Sequence, residues 1–496
     1  MKKKVLFWQT SDFFNYNLAY ELQNKNLDLY VIIDLPNKPK KFFQNQNFVN
    51  YTKKWFFHDH IKKDFIYEEE YLKEFENKYG INLWLLAYNE RIFFNYNKYK
   101  QFGENEVLSI LYQECLFFEK ILDEVSPEFL IIPITWQHQS ELLRLMCKKR
   151  DIRILMINGF VFGASSNKWI ISENLDTIDK VIETKSKTTD GSFIKLEEVL
   201  KGFSINTNTI NLSYRQNKNS KILRLKSMIE MLSSDNNKTH FTYFGRSSLK
   251  VIKNEIILLI KKKYREYYIE KNLEKKIPEL KKLILFPLHT EEERATLIGA
   301  PYYTNQIEII KNITKALPIG YQLIVKEHPS MRIRGWRKIS DYKEMMKLPN
   351  VVVLHPNTDI VDIIKKSKLV ITINSTTGFE AAFYEKPSIT FMKKHYSNLS
   401  FTKVNYNFNE LPMDIRKMLK TKVEPNELFD YLDSFKEELI DFNYTKFQID
   451  YGNTFYYGGN IVDIDINYNI MKEFLEINRD NFLILADKYY KKISGV

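Results

Sequence analysis

Short apolar runs that alternate with amphipathic stretches restrict this chain to few architectures. KVLFW at 4–8 reads as a strand, Leu18 to Leu22 fall in a helical stretch, and LDLYVII at 27–33 returns to strand character. FEKILDEV at 118–125 then leads into FLIIPI at 129–134, SELLRLMCKK at 140–149 reads as a helix, and IRILMI at 152–157 ends the series. Strands that are apolar along their whole length need cover on both faces, which helices supply when the strands run parallel.

A second series of the same kind follows. LILFPL at 283–288, YQLIVKEHP at 321–329, VVVL at 351–354 and LVITI at 369–373 read as strands, with helices expected at Asn305 to Ala316, DIIKKS at 362–367 and Phe379 to Tyr384. The economical fold class is α/β with two Rossmann-like domains and a ligand cleft where strand ends and helix N-termini converge. The expected boundaries are 1–275 for a first domain with a helical excursion, 276–460 for a second domain, and 461–496 for helices packing back on the first domain. Between the series, the Asn-rich stretch 201–220 reads as a surface excursion, and 221–232 and 249–275 as helices.

The 496 residues suit two large domains. Lysine and arginine number 74 against 62 acids, a formal charge of +12 that favours anionic partners without choosing among them. Many of these bases lie beside acids and read as a solvated surface. Cys115 and Cys147 are too few for a disulfide scaffold or a cysteine zinc site. IILLI at 256–260 is stopped by KKK at 261–263, no apolar run is long enough to span a bilayer, and the basic segment through KKKYREYY reads as a solvated helical face. MKKKVLFWQTSDFF lacks the long apolar core and cleavage pattern of a signal peptide, so a cytoplasmic protein is expected, with peripheral attachment to the inner face of the cell membrane left open.

No G-x-G-x-x-G follows the first strand and no P-loop GK[ST] occurs, which argues against a dinucleotide oxidoreductase and a P-loop NTPase. No nucleic-acid reader motif is present, so no specific nucleic acid is expected. His58, Asp59 and His60 form a compact HDH cluster that reads as a surface loop, and no metal is predicted.

Two local motifs carry chemistry. In Lys326-Glu327-His328-Pro329, a strand-end imidazole can bind phosphate, Lys326 can add positive charge and Pro329 restricts the turn; an ordinary turn with a basic pair competes. In Asn374-Ser375-Thr376-Thr377-Gly378-Phe379-Glu380, hydroxyls and amides at a strand-to-helix junction can hold phosphate, Gly378 permits close backbone approach and Glu380 can reach a ribose hydroxyl. Thr377 with Glu380 equally fits a capping box.

The order PLHTEEE at 287–293, Gln306, KEHP at 326–329, HPNTD at 355–359, STTGFEAA at 375–382 and EKP at 385–387 resembles the capsule polysaccharide biosynthesis family that includes bacterial Kdo transferases. The resemblance is fullest across 283–400; the N-terminal half agrees mainly in its β/α order. It implies a GT-B-like arrangement of the two domains and transfer of an activated sugar onto a growing surface glycan, with a CMP-linked sugar as donor and no other cofactor. By it, His328 and Pro329 carry the nucleotide-phosphate-binding motif, Lys326 and Glu327 its preceding positions, and Ser375, Thr376, Thr377, Gly378 and Glu380 the nucleotide-binding turn. Family members commonly place a Pro-Glu pair after PLH; here Glu292-Glu293 keeps Glu293 as a donor or sugar contact and loses the proline. His289, as a protonated imidazole, is expected to contact the donor carboxylate or phosphate, while Asp359 orients its loop or closes an Asx-turn.

The first domain is expected to supply acceptor contacts and the chemical carboxylate. Asp12 in WQTSD, Glu90 in YNER and Glu141 after WQHQ are the candidates, with Asp12 first, and N-cap or solvated roles compete at each. His138 is a candidate base with a helix-start role as its competitor. Retaining and inverting chemistry both remain open. The expected partners are a nucleotide sugar, a glycan or glycolipid acceptor, capsule-assembly proteins and an anionic membrane surface. A transferase using a CDP-linked polyol and a non-catalytic glycan-binding assembly subunit are the rival readings.

Overall fold

A computed structural model describes residues 2–35, 37–62, 66–93, 100–159, 166, 168–174, 192–203, 248–455 and 465–495. The expected helix at 221–232 and most of the stretch 201–220 lie outside them. The strands in chain order are β1 (Lys3–Gln9), β2 (Leu27–Ile33), β3 (Lys53–Phe56), β4 (Phe129–Ile131), β5 (Arg153–Gly159), β6 (Lys168–Ser172), β7 (Lys282–Pro287), β8 (Tyr321–Lys326), β9 (Val351–Leu354), β10 (Ser367–Thr372), β11 (Ser388–Thr390), β12 (Thr402–Val404) and β13 (Ile440–Asp441). They form two sheets in two compact units, the first of residues 1–175, 204–252 and 438–496, the second of 176–203 and 253–437.

The first sheet has the order β13-β6-β5-β4-β1-β2-β3, parallel from β5 to β3, with β6 and β13 antiparallel at one edge. Alternation along β1 explains its two layers. Val5 and Phe7 enter a core with the helix Phe14–Leu22, whereas Leu6 and Trp8 enter another with the helices Glu104–Val125 and His138–Lys149. The helix Tyr468–Ser494 buries Met471, Phe474, Leu475, Phe482, Leu485, Ala486 and Tyr489 at three- and four-residue spacing in the first of these cores. Asn467 caps it by accepting from the Asn469 N–H at 2.8 Å. Each of its larger apolar side chains contributes roughly 1.5–3 kcal/mol of burial.

The second sheet is wholly parallel, β12-β11-β10-β7-β8-β9. Ile284 and Phe286 of β7 enter one core and Leu283 and Leu285 the other, as expected of a central strand covered on both sides. Both units thus have the Rossmann strand order, with the chain reversing direction across the sheet between β1 and β4 and between β7 and β10.

The division of the chain differs from the expected boundaries 1–275, 276–460 and 461–496. The second unit takes in 176–203, and its main segment begins at 253 instead of 276, because Ile269 and Leu273 at the end of the helix Ser248–Asn272 bury in its core. Residues 438–460 go with the first unit, where β13 pairs with β6 and Phe442, Phe447 and Phe455 bury against Phe14, Phe482 and Phe474.

Candidate functional site

In an open α/β sheet, ligands bind beyond the carboxyl ends of the strands at the point where strand order reverses. In the second unit that point lies between His289, after β7, and Asn374, after β10; the Asn374 N–H points at His289 Nε2 from 3.5 Å. Gln306 holds the His289 backbone from both sides, accepting its N–H at 2.7 Å and donating to its carbonyl at 3.0 Å. Burial first, then the positive charge of His328, Arg337 and Lys394, pushes the His289 imidazole down to about 3. His289 is therefore neutral, which corrects the expectation of a protonated imidazole there.

Sequence reasoning missed the group that organises this loop. Arg337 is buried, donating from Nε to Glu327 Oε2 at 2.8 Å, to Glu291 Oε1 at 2.6 Å and to the His289 carbonyl. Tyr342 donates a further bond to Glu327 Oε2 at 2.7 Å. Burial opposes the guanidinium charge, but Glu327 and Glu291 outweigh it and raise the Arg337 pKa. The backbone approaching it turns through positive φ at Gly335, 87°, which glycine adopts freely, and at Trp336, 64°, which is strained, and Arg265 donates to both their carbonyls.

His328 sits at the end of β8, half-buried, its N–H donating to Glu327 Oε1 at 2.8 Å. Its Nδ1 accepts from the Ser330 N–H at 3.2 Å, so the neutral ring carries its proton on Nε2. Burial, only partly offset by Glu293 and Glu327, lowers its pKa and favours this neutral donor. A second His-Pro pair after β9 gives the contrast. His355 Nδ1 accepts from the Asn357 N–H at 3.2 Å in the same way, but its Nε2 lies 3.0 Å from Glu270. Pro329 is exposed at the turn.

Lys326 does not offer a free ammonium. It is buried, its pKa is pulled down by burial, and Nζ donates to the Pro356 carbonyl at 3.1 Å, which ties the ends of β8 and β9 together. Glu293 stands before the helix Arg294–Leu297 and accepts from Arg334 at 3.1 Å. Asp359 caps the helix Ile360–Lys366, accepting from the N–H groups of Val361 and Asp362.

The turn after β10 is built from its own hydroxyls. Ser375 Oγ lies 3.0 Å from Thr377 Oγ1 and accepts the Thr377 N–H at 3.1 Å, and Thr376 Oγ1 donates to Glu380 at 2.6 Å. The expected Thr377 and Glu380 capping box is thus a Thr376 and Glu380 pair. Burial raises the Glu380 pKa. Gly378 serves a neighbour: a Cβ there would lie 2.7 Å from Tyr396 Oη, which donates to the Ser375 carbonyl at 2.9 Å. The missing side chain thus makes room for Tyr396. Asn374 Oδ1 and His289 Nδ1 are buried with no hydrogen-bond partner among the described residues.

In the first unit, the three candidate carboxylates separate. Asp12 lies in the turn after β1, at the reversal point, on the approach to Phe13 with its strained φ of 57°. Its Oδ1 accepts from Thr10 Oγ1 at 3.0 Å and from the Phe14 N–H at 3.1 Å, while burial raises its pKa. Glu90 is instead saturated. It accepts from the Ile92 N–H and from both the N–H and Nδ1 of His138, whose Nε2 meets Glu114 at 3.0 Å, all buried. Burial resists the charge, but Glu114 and Glu90 outweigh it and lift His138 to about 10, leaving a captive imidazolium instead of a base. Glu141 is buried in a two-pronged pair with Arg144, at 2.8 and 2.6 Å, and accepts from Thr135 Oγ1 at 2.7 Å. Both Glu90 and Glu141 therefore depart from the expected catalytic role.

The HDH cluster does not behave as one surface loop. His58 Nε2 pairs with Asp34, at the end of β2, at 2.9 Å with both side chains largely buried, whereas His60 stacks on Phe117. Gln139 Nε2 reaches Asp34 at 3.5 Å, and buried Gln9 Oε1 and Gln139 Oε1 have no hydrogen-bond partner among the described residues. These orphan acceptors stand beyond β1 and β4, beside the turn that carries Asp12.

Two parallel Rossmann-like sheets, each with polar groups gathered at its reversal point, define an α/β protein of paired Rossmann-like units. Residues 210–438 match the model of the family described as capsule polysaccharide biosynthesis protein, which contains every motif of the second unit named above. No curated protein matches the chain. Among solved structures, the chain is similar to the Thermosulfurimonas dismutans KpsC beta Kdo 2,7 transferase, at 14% identity and TM-score 0.30 over 63% of this chain and 78% of that one. It is also similar to the Methanocaldococcus jannaschii UDP-GlcNAc 2-epimerase in complex with UDP-GlcNAc and UDP, at 12% identity and TM-score 0.27 over 88% of this chain and 100% of that one.

Proposed function

We propose that the chain is a glycosyltransferase of capsule or other surface-polysaccharide synthesis that transfers Kdo or a related sugar from a CMP-activated donor. The observation that carries this reading is the reversal point of the second unit, where His289, the Nε2–H of His328 and the Ser375 to Thr377 turn come together. The family match over 210–438 supports the same class of reaction.

In this reading His328 Nε2–H and the hydroxyl of Ser375 bind the donor phosphate, and Glu380, which already accepts from Thr376 Oγ1, takes a ribose hydroxyl. The Arg337 network holds the two loops in register without touching the donor. The acceptor hydroxyl attacks the anomeric carbon, the bond from that carbon to the phosphate oxygen breaks, and CMP leaves with the electron pair. Asp12, raised in pKa and with Oδ2 not engaged by Thr10 or Phe14, receives the hydroxyl proton, with Gln9 and Gln139 accepting from other acceptor hydroxyls. A lipid-linked acceptor would bring the protein to the inner face of the cell membrane beside capsule-assembly proteins.

The test is a mass-resolved donor screen with a matched acceptor pool, comparing wild type with His328→Ala. A Kdo-bearing product and CMP, sharply reduced in the variant, is the expected result. Transfer only from a CDP-linked polyol overturns the donor assignment, and glycan binding without turnover of any donor overturns the enzymatic reading.

A further inference from the structure

The helix Ser248–Asn272 is fixed to the second unit by one face only. Arg265 donates to the carbonyls of Gly335 and Trp336, Tyr268 packs against the core, and Ile269 and Leu273 are buried in it. The opposite face is apolar and open. Leu249 is 76% exposed, Ile256 53%, Leu259 61%, Ile260 65%, Tyr264 65% and Tyr267 63%. At 100° per residue, Leu249, Ile256, Ile260, Tyr264 and Tyr267 fall on one stripe that runs about 27 Å along the helix.

Lysines are set into this stripe and not merely beside it. Lys253 and Lys263 lie on the same face, Lys261 flanks it, and all three are exposed. The helix's acids at its C-terminal end are already neutralised: Glu266 pairs with Arg332, and Glu270 with Lys275 and His355. The outward face is therefore both apolar and basic.

That combination selects among occupants. The buried centre of a protein interface is depleted in lysine, because each ammonium must be desolvated or paired. At a bilayer surface the same lysines lay their stems along the apolar layer and reach up to anionic headgroups. Among the described residues no helix is long and apolar enough to cross a membrane, so this one can only lie along the surface.

We infer that the outward face of the helix Ser248–Asn272 is a docking surface for an anionic lipid bilayer, with Ile256, Ile260, Tyr264 and Tyr267 entering the interface and Lys253, Lys261 and Lys263 meeting headgroups. It deepens the membrane placement in the functional reading above, but vesicle binding requires no donor turnover.

The full chain is sedimented with vesicles of phosphatidylcholine alone and of phosphatidylcholine mixed with phosphatidylglycerol, at fixed salt. Wild type is expected to partition onto the anionic vesicles at least about tenfold more strongly. Ile256→Ser/Ile260→Ser should reduce that partitioning by about tenfold or more, and Lys261→Glu/Lys263→Glu should abolish the anionic preference. All four side chains are outside the core, so melting of both variants should match wild type; if the isoleucine pair nevertheless misfolds, the lysine pair carries the test. Equal partitioning onto both vesicle types overturns the inference, as does an isoleucine variant that binds like wild type. So does a wild type that ignores vesicles but forms a dimer by light scattering that the isoleucine variant loses, since the face would then serve a second copy. Lost vesicle binding with CMP binding retained counts against this inference alone; lost CMP binding with vesicle binding retained counts against the donor assignment alone.

Discussion

At the scale of the residue, what distinguishes His328 from His355 is the second ring nitrogen. Both accept an N–H two residues on through Nδ1, but only His355 has a carboxylate at Nε2. Removing an outward donor to a charged phosphate forfeits about 1.5–3 kcal/mol. His328→Ala should thus weaken CMP binding by roughly ten- to hundredfold in calorimetric titration, and an unchanged affinity would remove His328 from the site. Gly378 poses a different question. A methyl group there meets Tyr396 Oη at 2.7 Å and Thr372 Cγ2 at 3.1 Å, so Gly378→Ala should cost about 1–3 kcal/mol in denaturant unfolding. In a Tyr396→Phe background the closer contact is gone, and the added cost of Gly378→Ala should shrink. A cost that stays the same would mean the clash lies elsewhere.

At the scale of the element, the turns that follow the strands hold buried histidines with opposite pH signatures. His138, at the start of the helix His138–Lys149, is held near 10 by Glu114 and Glu90. Raised above the ordinary 6.5, it contributes stability that is complete below that value and is lost as pH climbs toward 10. His289 is held near 3, so the neutral ring contributes above 6.5 and its contribution is lost as pH falls toward 3. Urea unfolding across pH should show both slopes, with His138→Gln flattening the alkaline one and His289→Gln the acid one; slopes that survive would assign them to other groups. None of this pairing was readable in the sequence. Glu90 and Glu114 stand 48 and 24 residues from His138, and only the packed helices bring them together. The central strands, by contrast, were legible because short, mostly apolar runs such as LDLYVII and LILFPL admit few other fates. The strands KWIIS, SIT and TKV were not, being short and defined by their neighbours instead of by their own pattern. Likewise the His-Pro and Ser-Thr-Thr-Gly turns were visible as motifs, while Arg337, which fastens the loops behind them, has no local signature, because its partners Glu327, Glu291 and His289 come from other loops.

At the scale of the whole molecule, each unit has its own sheet and its own pair of cores, so each has the means to unfold as a cooperative block. The ionic fastenings are divided in the same way. The Glu90, His138 and Glu114 network belongs to the first unit, and the Glu327, Arg337 and Glu291 network to the second. Calorimetric unfolding of the full chain is therefore expected to resolve two transitions. His138→Ala, which strands two buried carboxylates, should lower one of them by about 3–5 kcal/mol and leave the other in place. CMP at about a hundredfold over its dissociation constant should raise only the transition that His138→Ala spares, by about 2.7 kcal/mol. His328→Ala should cut that shift to about 0.4–1.4 kcal/mol while leaving both transitions near their wild-type temperatures in the absence of nucleotide. If CMP raises the transition that His138→Ala lowers, the nucleotide binds the first unit and the assignment of the donor site to His328 and the Ser375 turn fails.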